Sequence, residues 1–141
     1  MAFPRTLADL IDVGVACDPE RTALIDRHGE WSYAELDRRA SQVANGLIAH
    51  GVRPGQRVAV LIGNESRFVE ALLGTWRAGA VSVLANTRLT PAQIADQVCD
   101  SQAVAVLASA DLQGAAEAVA ARTDGTRIIL GHEYDAWRRS H

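Results

Sequence analysis

The chain has 141 residues, of which 48% are hydrophobic and 22% are charged, and its formal net charge is -3. This balance is typical of one globular domain, and it excludes a strongly basic nucleic-acid-binding protein, which needs clustered cations to contact phosphates. The two cysteines, Cys17 and Cys99, are too few and too far apart for a disulfide scaffold. All 14 of the Lys+Arg residues are arginine, so any mechanism that requires a lysine from this chain is excluded.

The apolar segments are too short for a membrane protein. The longest uninterrupted apolar run, Ala103 to Ala108, is far shorter than the roughly 18 residues that a membrane-spanning helix requires. Asp9 and Asp12 also interrupt the stretch in which a signal peptide would be continuously apolar. We therefore expect a cytoplasmic protein without a transmembrane segment, whose two cysteines are reduced and buried as small apolar side chains.

Hydrophobic periodicity predicts alternating helices and strands. In chain order these are a helix from Thr6, strands at 23–25 and 30–32, a helix between Ser32 and Gly51, a strand at 58–62, a helix at 66–78, a strand at 81–84, a helix from Thr90, a strand at 103–108, a helix at 111–122 and a strand at 127–130. The two short strands at 23–25 and 30–32 are predicted to form a hairpin.

Capping signals place two of these helix starts. Ser32 and Glu35 have the spacing of a capping box. Thr90, Pro91 and Gln93 supply an N-cap, a proline at the first helical position and the reciprocal cap partner. Helices are therefore predicted to begin directly after Ser32 and Thr90.

The strands at 58–62 and 103–108 are continuously apolar, which is typical of strands that are covered on both faces. Together with the amphipathic helices between them, they predict an α/β fold with a mostly parallel sheet, helices on both faces, and the hairpin at an edge. We assign residues 1–132 to this α/β unit. Residues 133–141 leave no room for another strand and helix, and are interpreted as the start of a connection to a further part of the polypeptide.

No phosphate-binding motif is present. The chain has no G-x-G-x-x-G segment, and the Walker pattern is impossible without lysine. The loop from Gly63 to Ser66 follows a buried strand, but its single glycine and its acidic Glu65 make it a poor anion site. A turn in which Asn64 or Ser66 caps the next helix is the favoured interpretation.

Metal and nucleophile patterns are also missing. The histidines His28, His50, His132 and His141 lack the spacing of a metal site, and no G-x-S-x-G elbow or Cys/His pair occurs. His50 precedes a helix-ending glycine, where an imidazole faces the last carbonyls favourably. Arg38 and Arg39 are expected on a solvent face. The residues therefore predict no catalytic, cofactor-binding or metal-binding side chain.

Three segments nevertheless resemble a known family in residue type, order and separation. Residues 31–36 (W-S-Y-A-E-L) resemble the L-[TS]-Y-x-E-L signature of adenylate-forming enzymes, and residues 51–59 resemble its G-[VL]-x-x-G-D-x-V-A segment. Residues 76–90 resemble the signature in which a basic-Ala-Gly run leads into a strand ending in Val-Pro-x-Asn or Val-Pro-x-Asp. Two residues depart from these motifs. Gln56 stands where Asp is usual in the segment 51–59, and Leu84 stands where Pro is usual in the segment 76–90.

The resemblance covers about Thr6 to Trp137 and indicates the superfamily of AMP-forming acyl-CoA synthetases, non-ribosomal adenylation domains and luciferases. It implies that the α/β unit is the N-terminal subdomain of such an enzyme. Asn86, where amino-acid-activating domains usually have Asp, favours the acyl-CoA synthetases, including those of fatty-acid metabolism. The motif residues are interpreted as structural, and they are Ser32, Tyr33, Glu35, Leu36, Ala78, Gly79, Asn86 and Arg88. For Asn86 and Arg88 a ligand role stays open, because they follow the end of a strand.

The resemblance implies that the parent enzyme activates a carboxylate with ATP and Mg²⁺, forming an acyl-adenylate and pyrophosphate, and then transfers the acyl group to CoA with release of AMP. The family's phosphate loop, ribose-binding Asp and C-terminal lysine lie downstream of these motifs. We therefore expect the chain to be an inactive N-terminal scaffold without a cofactor of its own. Its expected partner is the remainder of its polypeptide, or a second copy through an exposed apolar face. A stand-alone binding module and a nucleotide-binding regulatory domain are the alternatives.

Overall fold

The computed structural model describes residues 6–123, 126–129 and 131–141. The strands are β1 (Thr22–Asp26), β2 (Gly29–Ser32), β3 (Arg57–Leu61), β4 (Val81–Leu84), β5 (Ala105–Ala108) and β6 (Arg127–Ile129). The helices are α1 (Asp12–Cys17), α2 (Tyr33–Ala49), α3 (Ser66–Arg77), α4 (Pro91–Asp100), α5 (Gln113–Ala120) and α6 (Gly131–Arg139), and 3₁₀ turns occur at Leu7–Asp9 and Ala110–Leu112. Leu130, the end of the last predicted strand, lies outside the described residues.

The central element is a four-stranded parallel sheet with strand order β4-β3-β5-β6. Because successive side chains of a strand point to opposite faces, β3 contributes to two cores. Val58 and Val60 belong to one apolar cluster, whereas Ala59 and Leu61 belong to the other. All four are at most 1% exposed, which explains why this strand is a continuous apolar run.

Helices cover both faces of the sheet. Leu47 of α2 and Tyr134 of α6 pack with Val58 in the first cluster. Ile94 of α4 and Val119 of α5 pack in the second cluster, on the opposite face. The predicted α/β architecture, with a parallel sheet between two helical layers, is confirmed.

The hairpin does not lie at an edge of this sheet, so that prediction is wrong. Strands β1 and β2 form a separate antiparallel two-stranded sheet. Leu24 of β1 packs on a third apolar cluster that contains Ile11, Leu36 and Leu73. The hairpin thus covers apolar side chains on the outer side of α2 and α3, because these would otherwise face water.

The predicted connecting segment, 133–141, lies within and directly after α6. Tyr134 is fully buried in the first cluster, and Asp135 forms an ion pair with Arg67 of α3 (Oδ2 to Nη2, 2.7 Å). The boundary at residue 132 therefore does not coincide with a break in the packing.

The prediction of buried cysteines is wrong. Cys17 is exposed and Cys99 is partly exposed, and both are free thiols. Cys17 is the last residue of α1, a short helix without a buried residue. In α4 the buried positions are Ile94, Ala95 and Val98, so Cys99 lies beside the buried stripe. None of the described helices has the length and apolar character needed to cross a membrane.

Candidate functional site

An open cleft of about 290 Å³ lies at the carboxyl ends of β3 and β4. Ile62, Phe68 and Leu84 provide its apolar surface, and Asn64 and Asn86 provide amides. Open parallel sheets bind ligands at this edge. No charged side chain lines the cleft among the described residues, so it offers neither a counter-ion for phosphate nor a proton donor or acceptor of a catalytic type.

Asn86 organises the loop that follows β4. Its Oδ1 accepts a hydrogen bond from the backbone N–H of Arg88 (3.0 Å), and its carbonyl oxygen accepts one from the backbone N–H of Leu89 (3.1 Å). Such bonds from an Asn side chain to the following backbone stabilise a turn. The side chains of Asn86 and Arg88 are both exposed, so in this structure Asn86 holds the loop and Arg88 supplies a backbone donor.

The loop between β3 and α3 is closed to anions by a carboxylate from β1. The Ser66 backbone N–H, at the start of α3, donates to Asp26 Oδ2 (2.7 Å), and the His28 backbone N–H donates to Asp26 Oδ1 (2.7 Å). Glu65 occupies the N-cap position without capping through its side chain. The prediction that Asn64 or Ser66 caps this helix is therefore wrong, since the capping carboxylate comes from 40 residues earlier.

These two bonds also change the acidity of Asp26. Partial burial acts to raise the pKa of its carboxyl group, but the backbone N–H groups of Ser66 and His28 outweigh this, and the pKa lies below its ordinary value. Asp26 is consequently charged near neutral pH. It meets the positive end of the α3 dipole, where a bound phosphate would otherwise be favoured.

A second carboxylate reinforces this closure. The Glu65 side chain is only 6% exposed. It is approached by Arg27 Nη2 at 3.5 Å, His28 Nε2 at 3.3 Å and Arg67 Nη1 at 3.4 Å. The guanidinium groups of Arg27 and Arg67 therefore already have a carboxylate of the chain itself as a partner, and the charge of Glu65 opposes the approach of a phosphate group.

The residues of the first motif hold the start of α2. Ser32 Oγ accepts a hydrogen bond from the backbone N–H of Glu35 (3.2 Å), and among the described residues the reciprocal bond of the predicted capping box is not formed. The ring of Tyr33 packs against Gly14 so closely that no side chain fits there. Leu36 is buried in the third cluster. This geometry agrees with the structural interpretation of the motif.

The other two motifs, residues 51–59 and 76–90, contact each other through their backbones. Gly79 follows α3 with a φ of +72°, a conformation that favours glycine. Its carbonyl oxygen accepts a hydrogen bond from the Gly55 backbone N–H (2.8 Å), and a Cβ on Gly79 would lie 3.1 Å from Pro54 Cβ. Ala78, the C-cap residue of α3, is buried. Gly55 and Gly79 thus allow the two backbone segments that lead into β3 and β4 to lie in close contact.

Sequence reasoning missed a buried ionic cluster. Glu70 is completely buried, and its Oε1 accepts a hydrogen bond from Arg39 Nη1 (2.9 Å) while its Oε2 lies 3.3 Å from Arg138 Nε. Arg39 also lies over the ring of Trp31, with Cζ 5.0 Å from the ring centre. Both arginines were expected on a solvent-exposed face; Arg38 is exposed, as expected, but Arg39 is partly buried, so the prediction is wrong for Arg39. The available signal was Glu70 itself, a carboxylate on the buried face of α3.

Tyr134 completes the cluster. Burial, together with the nearby Glu70 carboxylate, raises the pKa of Tyr134 well above its ordinary value. Its hydroxyl has no hydrogen-bond partner among the described residues. The members of the cluster come from α2, α3 and α6, and Glu70, Tyr134 and Arg138 are buried, so we assign it to the packing of these helices.

Comparison with known proteins places these elements in a family. A family model described as "AMP-binding enzyme" matches residues 11–139. The chain is 42% identical over 121 residues to a feruloyl-CoA synthase of Amycolatopsis sp, covering 84% of this chain and 24% of that protein. It is 38% identical over 112 residues to the AMB antimetabolite synthetase AmbE of Pseudomonas aeruginosa, covering 79% of this chain and 5% of that protein.

A solved structure agrees with these matches. The chain superposes on a benzoate CoA ligase from Burkholderia xenovorans LB400 with a TM-score of 0.88 and 30% sequence identity, covering 97% of this chain and 29% of that one. The chain thus spans less than a third of each of these relatives. On the match over residues 11–139, the chain belongs to the AMP-binding enzyme family.

Proposed function

We propose that this chain is the N-terminal scaffold of an AMP-forming acid–thiol ligase. The parent enzyme would join a carboxylic acid to the α-phosphate of ATP, releasing pyrophosphate, and then transfer the acyl group from AMP to the thiol of CoA. The observation that carries the proposal is the AMP-binding family match over 11–139, combined with the 24% share of the feruloyl-CoA synthase that the chain covers.

The CoA-ligase branch of the family is favoured by two observations. Asn86 stands where the amino-acid-activating domains usually carry Asp. The relatives include a feruloyl-CoA synthase at 42% identity and a benzoate CoA ligase at 30% identity. We therefore propose a carboxylic acid as the substrate and CoA as the acceptor. The proposed compartment is the cytoplasm, as expected from the sequence.

The residues of this chain do not fit the phosphates of ATP or the accompanying Mg²⁺. The N-terminus of α3 is already occupied by the Asp26 carboxylate, and the cleft beside β3 and β4 has no charged lining residue among those described. Groups that stabilise phosphate charge would have to come from other parts of the parent enzyme. We derive no catalytic step from this chain.

The chain would contribute to the parent enzyme by holding the sheet and the loop after β4 in place. The four-stranded sheet is held from both faces, and its carboxyl edge carries the loop that Asn86 fixes through the backbone of Arg88. The motif residues Ser32 and Gly79 fix the helix start and the backbone contact that support this sheet.

The β4 edge is the proposed contact with the remainder of the polypeptide. Among the described residues β4 pairs with a strand on one side only, and Val81 and Leu84 are 50% and 56% exposed. An unpaired edge with apolar side chains favours further strand pairing. In the isolated chain, we expect the same edge to promote weak self-association, which sedimentation velocity at increasing concentration would detect.

A segment exchange tests the scaffold role. The corresponding segment of the Amycolatopsis feruloyl-CoA synthase is replaced by this chain, and ATP-dependent feruloyl-CoA formation is measured beside a version that lacks the segment. We expect activity in the exchanged enzyme and none in the shortened one. A folded exchanged enzyme without activity would contradict the proposal.

The isolated chain provides the complementary test. We expect no ATP–pyrophosphate exchange with carboxylic acids, and no heat on titration with ATP, AMP or CoA. Exchange activity from the pure chain would show that it carries catalytic groups, and nucleotide binding alone would favour a regulatory domain.

A further inference from the structure

Two histidines that are distant in the sequence meet where two helices end. His50 is the C-cap residue of α2, and His141 follows the end of α6 by two positions. Their ring centres are 5.5 Å apart, with an angle of 59° between the ring planes. The ring of Trp137 lies beside both, at 6.0 Å from His50 and 5.7 Å from His141.

The hydrogen bonds of both rings leave the same nitrogen available. His50 Nδ1 lies 2.9 Å from the Gly46 carbonyl oxygen, and His141 Nδ1 lies 2.9 Å from the Trp137 carbonyl oxygen. The Ser140 hydroxyl, 3.1 Å from His141 Nδ1, donates its own proton to the same Trp137 oxygen (2.7 Å). Since a carbonyl oxygen only accepts, each Nδ1 carries a proton, and in the neutral form of each ring the lone pair lies on Nε2.

This arrangement is the one in which metal-binding histidines are usually held. A ligating imidazole commonly donates its second N–H to a backbone carbonyl, which fixes the tautomer and the ring orientation. Here both rings have that support before any metal is present. The ends of α2 and α6 add the negative ends of two helix dipoles, which favour a cation at this position.

The separation of the rings also suits one shared ion. A metal–nitrogen distance of about 2.0–2.1 Å, with a ring centre about 1.1 Å behind Nε2, places the ion about 3.2 Å from each centre. For an ion contacted by both Nε2 atoms, a separation of 5.5 Å between the ring centres would correspond to an angle of about 120° at the metal, close to tetrahedral values.

We propose that Nε2 of His50 and Nε2 of His141 together bind one divalent transition-metal ion of the kind that prefers imidazole, such as Zn²⁺, Ni²⁺ or Cu²⁺. Among the described residues no cluster of three or more His, Cys, Asp or Glu forms a metal site, so water completes the coordination. The bound ion links the end of α2 to the end of α6 and stabilises the packing of α6 on the domain.

The test uses the 141-residue chain without a histidine tag. Thermal unfolding and calorimetric titration with NiCl₂ and ZnCl₂ at pH 7.5 are compared for the unchanged chain and for His50→Ala and His141→Ala. The matched controls are His28→Ala and His132→Ala, which remove the other two histidines. We expect 1:1 binding and a metal-dependent rise in Tm in the unchanged chain and in both controls.

In His50→Ala and in His141→Ala we expect the dissociation constant to increase about tenfold or more, and the rise in Tm to disappear. His141 is exposed, so its variant reports on metal binding even if His50→Ala unfolds. Cu²⁺ electron paramagnetic resonance should detect two coordinating nitrogens. The proposal is overturned by unchanged affinity in His141→Ala, by no binding in the unchanged chain, or by metal-induced dimers in sedimentation.

Discussion

The contact between α2 and α3 depends on a glycine. Gly74 of α3 is buried, and an ideal Cβ at this position would lie 2.5 Å from both Cβ and Cγ1 of Val43 and 2.9 Å from the Ala40 carbonyl oxygen. Real Cβ contacts are longer than this, so the two helices pack at a distance that only glycine allows. We predict that Gly74→Ala destabilises the domain.

The magnitude follows from two opposing effects. Alanine is favoured over glycine in a helix interior by about 0.8–1 kcal/mol, whereas overpacking a core costs about 1–3 kcal/mol and occasionally more. The contacts at Gly74 involve a Cβ and a backbone oxygen, which rotamer changes do not move. The helices must therefore separate by about 1 Å to restore ordinary contact distances. Because these groups cannot move aside, we take the upper end of the overpacking cost, about 3 kcal/mol. Subtracting the helix preference of about 1 kcal/mol leaves a net loss of about 2 kcal/mol, which lowers Tm by roughly 4–10 °C.

Gly114→Ala is the matched control. Gly114 lies in α5, and its ideal Cβ would meet no atom within 4 Å, so this substitution should stabilise the chain by about 0.5–1 kcal/mol. Urea unfolding followed by tryptophan fluorescence measures both variants. If Gly74→Ala is as stable as Gly114→Ala, the close approach of α2 and α3 is refuted.

Three further substitutions test other parts of the structure. Glu70→Ala leaves two arginines without their buried partner and should cost about 3–5 kcal/mol in urea unfolding. Asp26 has a lowered folded-state pKa, so its stabilisation is present above the unfolded pKa of about 3.9 and is lost as pH falls through the folded value. Asp26→Asn should therefore be less stable at pH 7 and less sensitive to acid. Gly79→Ala should cost about 1–2 kcal/mol because of its positive φ, whereas Gly63→Ala, which has open space around it, should be nearly neutral in the same assay.

Features that depend on neighbours in the sequence were predictable. The capping box at the start of α4 is formed in both directions, by the Thr90 N–H to Gln93 Oε1 (3.1 Å) and the Gln93 N–H to Thr90 Oγ1 (3.4 Å). The partners are three positions apart, so the pattern predicts the helix start. The same spacing at Ser32 and Glu35 also predicts a helix start, but there, in the part of the chain that the structure describes, only one of the two bonds is formed. The apolar run at 58–62 predicted a strand buried on both faces for the same reason, since alternation is a local property.

Features that depend on tertiary contact were not predictable. The Asp26 carboxylate reaches the N-terminus of α3 across 40 residues, and the partners of Glu70 lie on α2 and α6. No local pattern encodes such pairs. The position of the hairpin was predicted wrongly, and the helix α6 was not predicted at all. Both depend on which apolar surface another element leaves uncovered. In the candidate site, the loop after β4 was recognisable from Asn86, but the cleft beside it was not.

A scaffold role has a quantitative consequence for catalysis. Domains are stable by about 5–15 kcal/mol, so a loss of about 2 kcal/mol in Gly74→Ala leaves more than about 99% of the molecules folded at 25 °C. In the exchanged feruloyl-CoA synthase, this variant should therefore keep its kcat at 25 °C and lose activity only at a lower temperature on heating. Gly114→Ala should keep kcat and resist heating slightly better. A large fall in kcat at 25 °C, in an enzyme that remains folded by circular dichroism, would mean that the α2–α3 contact acts in the reaction itself.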